Sequence, residues 1–198
     1  MKLNEFISVS GRKVILVPYK NIHVPKYHQW MQRKDLQEAT ASEPLSEEEE
    51  YQMQQTWLLD EDKCTFIILD KAVMDTTKDE LGAMIGDVNL YLSVQNDVKV
   101  GECGIMIAEN DARGQGKGME ALLLMLRFGC EMLKIGSFEA KISLTNTTSL
   151  SLFEKIGFTV AKKSDVFMEA TLVVDVTAEW KRWLDQETSE FSISKYSS

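Results

Sequence analysis

The chain has 198 residues, 44% of them hydrophobic and 27% charged, the balance of one folded globular domain large enough to bury its own core without disulfide or metal staples. Its 22 basic residues face 31 acidic ones, a formal net charge of −9. That charge disfavours nucleic acid and anionic membranes as partners, because both reward a positive surface. Cys64, Cys103 and Cys130, with His23 and His28, fall in no metal-ligand spacing, so no metal is expected. Residues 1–5 carry no charged-then-apolar leader pattern, and no apolar run reaches the length of a membrane span. With reduced thiols, the expected setting is cytoplasmic.

In chain order, Val14-Ile15-Leu16-Val17 reads as a strand stopped by Pro18, followed by a helix over about 24–36 with Tyr27, Trp30 and Met31 at helical spacing. Ser46 stands three residues before Glu49 in a capping-box arrangement. The acidic run 47–50 therefore reads as helix-start chemistry rather than an interaction patch. Residues 64–69 read as a buried strand, 75–80 as a turn, and 83–92 and 98–108 as two longer strands joined by Asn96-Asp97, a hairpin turn pair. A long apolar helix is expected over 116–133, a strand over 138–144, and a short helix over 149–156 closed by Gly157. Two strands follow, over 159–163 and 167–174. A last helix begins at Thr177 and carries Trp180, Trp183 and Leu184. The pattern predicts a single α/β domain over 1–188, a mixed sheet with helices on its faces, and a flexible polar tail over 189–198.

The most informative stretch is Ala108-Glu109-Asn110-Asp111-Ala112-Arg113-Gly114-Gln115-Gly116-Lys117-Gly118-Met119. A strand ends, a turn carries three alternate glycines, and a long helix begins. Such a turn leaves backbone N–H groups bare at a helix N-terminus, an anion nest, and Arg113 and Lys117 add positive charge. The nucleoside-triphosphate phosphate loop fails here, since Asp111 stands where its first glycine belongs and Gly118 follows Lys117. The dinucleotide fingerprint fails at Met119. A plain glycine-rich turn is the remaining alternative to a binding loop.

At these residues the chain resembles the GNAT superfamily of acetyl-CoA-dependent N-acetyltransferases. The family's cofactor motif, Gln/Arg-x-x-Gly-x-Gly/Ala, is matched by Arg113-Gly114-Gln115-Gly116-Lys117-Gly118. A second motif is matched by Asn146 and by Phe153-Glu154-Lys155-Ile156-Gly157-Phe158. The resemblance spans roughly 11–174. It implies a GNAT-type, mostly antiparallel sheet of six to seven strands with helices on both faces and a central strand pair splayed open after Met106. It also implies acetyl-CoA as cosubstrate, held by Met106, Ile107, Ala108, residues 113–119, Asn146 and Phe153. A backbone N–H near Ile107 or Ala108 would polarise the thioester carbonyl. Further stretches, Thr40-Ala41-Ser42-Glu43-Pro44-Leu45, Asp62-Lys63-Cys64-Thr65-Phe66 and Gly86-Asp87-Val88-Asn89-Leu90, resemble the N-acetyltransferase-9 subgroup. This implies a protein N-terminal amine as acceptor, that of α- or β-tubulin, and so a tubulin or microtubule partner.

The family's reaction is direct attack of an amine on the thioester within a ternary complex. Many members place a tyrosine where this chain has Phe153, so proton return to the leaving thiolate falls to water, Ser149 or Ser151. The candidate bases are Glu109, Glu102 and Asp87. Without a strong base, an α-amine of pKa about 7.7–8.0 is an easier nucleophile than a lysine near 10.4. Two other readings stand beside this one: acetylation of a lysine or small amine, and a weakly catalytic module that binds CoA or a cytoskeletal partner. The acceptor pocket is expected around 37–43 and 163–165.

Overall fold

The computed structural model describes residues 2–196. In chain order its strands are β1 (Ile7–Ser10), β2 (Val14–Pro18), β3 (Lys63–Asp70), β4 (Met84–Gln95), β5 (Val98–Ile107), β6 (Ser137–Ser143), β7 (Thr159–Ser164), β8 (Glu169–Asp175) and β9 (Ser192–Lys195). The helices are α1 (Val24–Met31), α2 (Lys34–Thr40), α3 (Glu47–Leu59), α4 (Lys71–Thr77), α5 (Glu80–Ala83), α6 (Lys117–Phe128), α7 (Thr147–Lys155) and α8 (Ala178–Glu187). All strands join one open sheet in the order β7-β8-β6-β5-β4-β3-β2-β1-β9. Neighbours run antiparallel except β5 and β6, which run parallel across the α6 crossover.

Side-chain alternation divides the core between the two faces. On β3, buried along its whole length, Cys64, Phe66 and Ile68 pack with Leu122, Met125 and Phe128 of α6, while Ile67 and Leu69 pack with Tyr27, Trp30 and Met31 of α1. The Phe66 and Phe128 rings meet edge to face with centroids 5.2 Å apart. Each such fully buried side chain stabilises the fold by about 1.5–3 kcal/mol relative to exposure. Local signals set the boundaries. Ser46 and Glu49 form the capping box that starts α3, with Glu49 N–H reaching Ser46 Oγ at 3.3 Å and Ser46 N–H reaching Glu49 Oε2 at 2.8 Å. Asn96 and Asp97 turn the β4–β5 hairpin with φ of 48° and 64°. Gly157 ends α7 at φ +94°, with Phe158 N–H on the Phe153 carbonyl and Gly157 N–H on the Glu154 carbonyl, a Schellman closure.

The expected six or seven strands number nine among the described residues. The two additions, β1 and β9, pair with each other at the sheet edge, Ile7 opposite Lys195 and Ser10 opposite Ser192. Both are four-residue, serine-rich segments whose apolar alternation is too short to read. The stretch expected as a loose tail therefore includes an edge strand, followed by Tyr196, which is buried and donates to Glu80 Oε1 at 2.7 Å. The single helix expected over 24–36 is two, broken where Arg33 takes an extended conformation (φ −85°, ψ 123°). The apolar helix expected to reach residue 133 leaves α-helical geometry after Phe128 and ends in a π turn over Gly129–Leu133. Residues 71–83, read in part as a turn, form α4 and α5, started by Asp70 and Asp79 caps.

Candidate active-site cleft

β5 and β6 pair at three positions, Val100 with Ser137, Gly101 with Phe138 and Glu102 with Glu139, and then part. The parting starts at Cys103, earlier than the expected point after Met106. Each strand stays fully paired on its far side, β5 with β4 as far as Ile107 and β6 with β8 as far as Ser143. The near edges are thus held apart, leaving a cleft of about 420 Å³. Asp87, Tyr91, Glu102 and Met106 line one side, Asn146, Ser149 and Phe153 another, and residues 38–42 and Phe167 complete the wall. Residues 38–42 fall within the stretch expected to shape the acceptor pocket; Phe167 lies just beyond the other.

Register brings the polar wall together. Asp87, Asn89 and Tyr91 alternate along β4, opposite Ile67, Thr65 and Lys63 of β3 and opposite Met106, Gly104 and Glu102 of β5. Asp87 is only 4% exposed, and that burial pushes its carboxyl up to about 6, against the pull of a hydrogen bond from Asn89 Nδ2 at 3.2 Å and of the Lys63 charge. Lys63, also buried, is pushed down to about 8 by desolvation while Asp87, Asp60 and Asp62 pull it back up. Its Nζ lies 3.4 Å from the Trp57 ring centroid and 4.0 Å from that of Tyr91, to whose hydroxyl it donates. Neither Lys63 nor Trp57 stands out in the sequence, because their nearness to Asp87 follows from strand register and from helix α3 packing over the sheet.

The other carboxylates are already engaged. Glu102 lines the cleft but pairs with Lys141 at 2.5 Å. Glu109, expected beside the parted strands, instead accepts from Trp30 Nε1 at 2.9 Å, lies 3.6 Å from Lys26, and is not among the cleft-lining residues. Asn146 lines the cleft while its Oδ1 caps α7 through Ser149 N–H at 3.1 Å. Phe153 is 2% exposed, its ring edge-on to Phe158 with centroids 5.0 Å apart, and it presents no hydroxyl. His23 is fully buried between the Lys20 N–H and Glu80.

The glycine turn lies between the end of β5 and the start of α6. Gly114 and Gly116 take φ of 72° and 76°, the left-handed region open to glycine at little cost. The amides of residues 117–119 open α6 and have no i−4 carbonyl to reach. Among the described residues no acceptor meets the amides of Gly114, Gln115 or Gly116 at good hydrogen-bond geometry either. Gly118 lets the helix approach β5, since a Cβ there would lie 3.2 Å from Ile107. The row of unspent donors has the chemistry a diphosphate requires, so the residues present fit the phosphate portion of a CoA thioester.

The cations are arranged differently from the sequence expectation. Lys117 turns away from the turn to Asp70, and Arg113 donates through Nε to the Ile107 carbonyl at 2.8 Å. Arg33, which carries no sequence signal, holds the Ala108 carbonyl at 2.7 Å. The Ala108 amide is not free to polarise a thioester, because it donates to the Ile85 carbonyl at 2.8 Å. Alternation leaves that place to Ile107. The Met106 carbonyl points toward β4, where a Cβ on Gly86 would lie 1.9 Å from it, so the Ile107 N–H faces the open side. Among the described residues no group of three His, Cys, Asp or Glu is placed to hold a metal, and no helix is long and apolar enough to cross a membrane.

Comparison with known proteins agrees with this geometry. Residues 13–159 match the family model of the acetyltransferase (GNAT) domain. The chain is 51% identical over 176 residues to the N-acetyltransferase 9-like protein of Nematostella vectensis, covering 88% of this chain and 89% of that one. It is 47% identical over 191 residues to the alpha/beta-tubulin-N-acetyltransferase 9 of Drosophila melanogaster, covering 94% and 96%. In fold it is similar to spermidine N-acetyltransferase from Vibrio cholerae, solved with CoA and spermine, at a TM-score of 0.67 and 14% identity over 82% of this chain and 95% of that one.

Proposed function

From the premise that the chain belongs to the GNAT family of acetyltransferases, we propose that it transfers the acetyl group of acetyl-CoA to the α-amine of a protein N-terminus, with tubulin as the acceptor in a cytoplasmic setting. The observation that carries this reading is the adjacency of two features, joined where Gly118 packs on Ile107 and on the cleft-lining Ile105: bare amides at the α6 N-terminus and a parted strand pair leading to a buried carboxylate, Asp87. Acetyl-CoA supplies the activated acetyl thioester. The chain supplies position, and pairing two bound reactants is worth about 7–11 kcal/mol of barrier.

Of the three candidate bases, Asp87 is the one that lines the cleft and pairs with no cation at hydrogen-bond distance. Its carboxyl, near 6, is ionised at neutral pH and close enough to an amine's range to accept a proton. Against an α-amine of pKa about 7.7–8.0 the mismatch is about 2 units, or about 3 kcal/mol; against a lysine near 10.4 it exceeds about 4 units, or about 6 kcal/mol. That difference favours a protein N-terminus over a lysine. The cleft's one thiol, Cys103, is pushed well above its ordinary range by burial, and its Sγ faces the Gly101 carbonyl at 3.7 Å. It is a poor acyl carrier, which favours direct attack by the amine. The Ile107 N–H, open to the parted side, is the donor suited to the thioester oxygen. Phe167 in the cleft wall and its chain neighbour Val166 are 81% and 86% exposed, and an apolar fingertip beside the cleft suits a polypeptide acceptor better than a small polar amine.

Mass spectrometry of peptides carrying the α- and β-tubulin N-termini, incubated with the chain and acetyl-CoA, tests the proposal. Acetyl on the terminal amine supports it. Acetyl confined to lysines, or none despite CoA binding, refutes it.

A further inference from the structure

The motif's own lysine does not face the nest, since Lys117 is bound to Asp70. A different lysine stands there. Glu120, in the first turn of α6, accepts three consecutive backbone amides from the β1–β2 turn: Arg12 at 3.1 Å, Lys13 at 2.6 Å and Val14 at 2.9 Å. This clamp fixes a turn more than a hundred residues away in sequence against the start of the cofactor helix. Lys13 Nζ then lands on the glycine loop itself, donating to the Gln115 carbonyl at 2.7 Å, and a Cβ built on Gly116 would lie 2.9 Å from it.

An ammonium has three donors, and Gln115 takes one. Among the described residues no carboxylate lies within ion-pair reach of Lys13, and both Glu120 oxygens are occupied by amides. The Arg113 Nε is spent on Ile107 and the Lys117 charge on Asp70, so Lys13 is the lysine at the loop whose charge is left for an incoming anion. Building on the acetyl-CoA reading above, we propose that Lys13 is a phosphate ligand of the cofactor and that Glu120 is its positioning residue. The charge removed from the motif position is thereby restored from the β1–β2 turn. The chemistry it recognises is a phosphate oxygen, offered by either the diphosphate or the 3′-phosphate of CoA.

Calorimetric titration of the full chain with CoA and with 3′-dephospho-CoA distinguishes the two sources. Lys13→Met is expected to weaken CoA about tenfold at low salt, with Lys13→Arg restoring affinity, as for loss of one partly exposed charge-assisted hydrogen bond. The loss is expected to shrink as salt rises from about 0.05 to 0.5 M, because a phosphate contact is screened. Equal losses for both ligands assign the contact to the diphosphate; a loss for CoA alone assigns it to the 3′-phosphate. Unchanged affinity for both ligands, or a loss that salt leaves untouched, overturns the proposal while wild-type binding keeps the cofactor reading intact. Wild-type protein that binds no CoA overturns the cofactor reading itself.

Discussion

Lys117 Nζ lies 2.5 Å from Asp70 Oδ2, joining the first residue of α6 to the residue that caps α4. Although burial works against the Asp70 charge, the bond from Lys117 and the amides of Val73 and Ala72 hold its carboxyl below the usual range. The lysine at the motif position is thus a fold residue. Lys117→Ala is expected to lower stability by about 1–2 kcal/mol, by leaving a largely buried carboxylate without its cation, and to change CoA affinity little. Because the Asp70 carboxyl is depressed, the pair stabilises the fold above the carboxylate range and loses that contribution as pH falls through it. Thermal unfolding of wild type and variant at pH 7 and in acid checks this; curves that differ equally at both would contradict it.

Gly116 sits at φ +76° in the row of bare amides. Gly116→Glu places a carboxylate in the proposed phosphate site and forces an L-residue into a left-handed conformation costing about 1–2 kcal/mol. Acetyl-CoA affinity is expected to fall at least about tenfold in a protein that still folds, as judged by its circular dichroism and titration. Retained affinity would mean that the phosphates lie elsewhere.

Lys63 lowers the Asp87 carboxyl through its charge. Lys63→Met is therefore expected to raise the pH at which activity appears, by a fraction of a unit up to about one unit, and Lys63→Arg to hold it near wild type. An unmoved acid limb in the methionine variant would detach Lys63 from the base.

In its proposed role as the base, Asp87 sets function against stability. Its folded carboxyl is raised to about 6 from an unfolded value near 3.9, so the stability gained by protonation is fully present below about pH 4 and lost as pH rises through about 6. At pH 7 the buried charge costs up to about 3 kcal/mol, which Asp87→Asn removes. The new amide can also donate to the buried Asn89 Oδ1, which has no partner among the described residues. The variant is expected to unfold at a higher temperature than wild type at pH 7, the gap closing toward pH 4. A lower unfolding temperature at pH 7 would contradict this.

Legibility followed the range of each signal. The capping box at Ser46, the hairpin turn at Asn96-Asp97 and the glycine closure at Gly157 are chemistry local to a few residues, and the structure carries all three. The glycine turn was readable because a contiguous motif encodes it, whereas the parted β5–β6 pair was only implied by the family resemblance and opens at Cys103, earlier than expected. Features made by register or long-range packing left no trace: the β1–β9 edge, Lys63 against Trp57, Arg33 under Ala108, and Lys13 on the Gln115 carbonyl. Glu109 shows the converse, since position at a strand end suggested a base, yet Trp30 and Lys26 draw it out of the cleft.

The central claim is that Asp87, buried at the cleft, takes the proton of an incoming α-amine. The pH–rate profile of N-terminal peptide acetylation, measured for wild type and Asp87→Asn at saturating acetyl-CoA, tests it most directly. Wild type should gain rate through a limb near pH 6, and the variant should lose about a hundredfold or more in rate together with that limb. A variant that keeps both the rate and the limb would contradict the account.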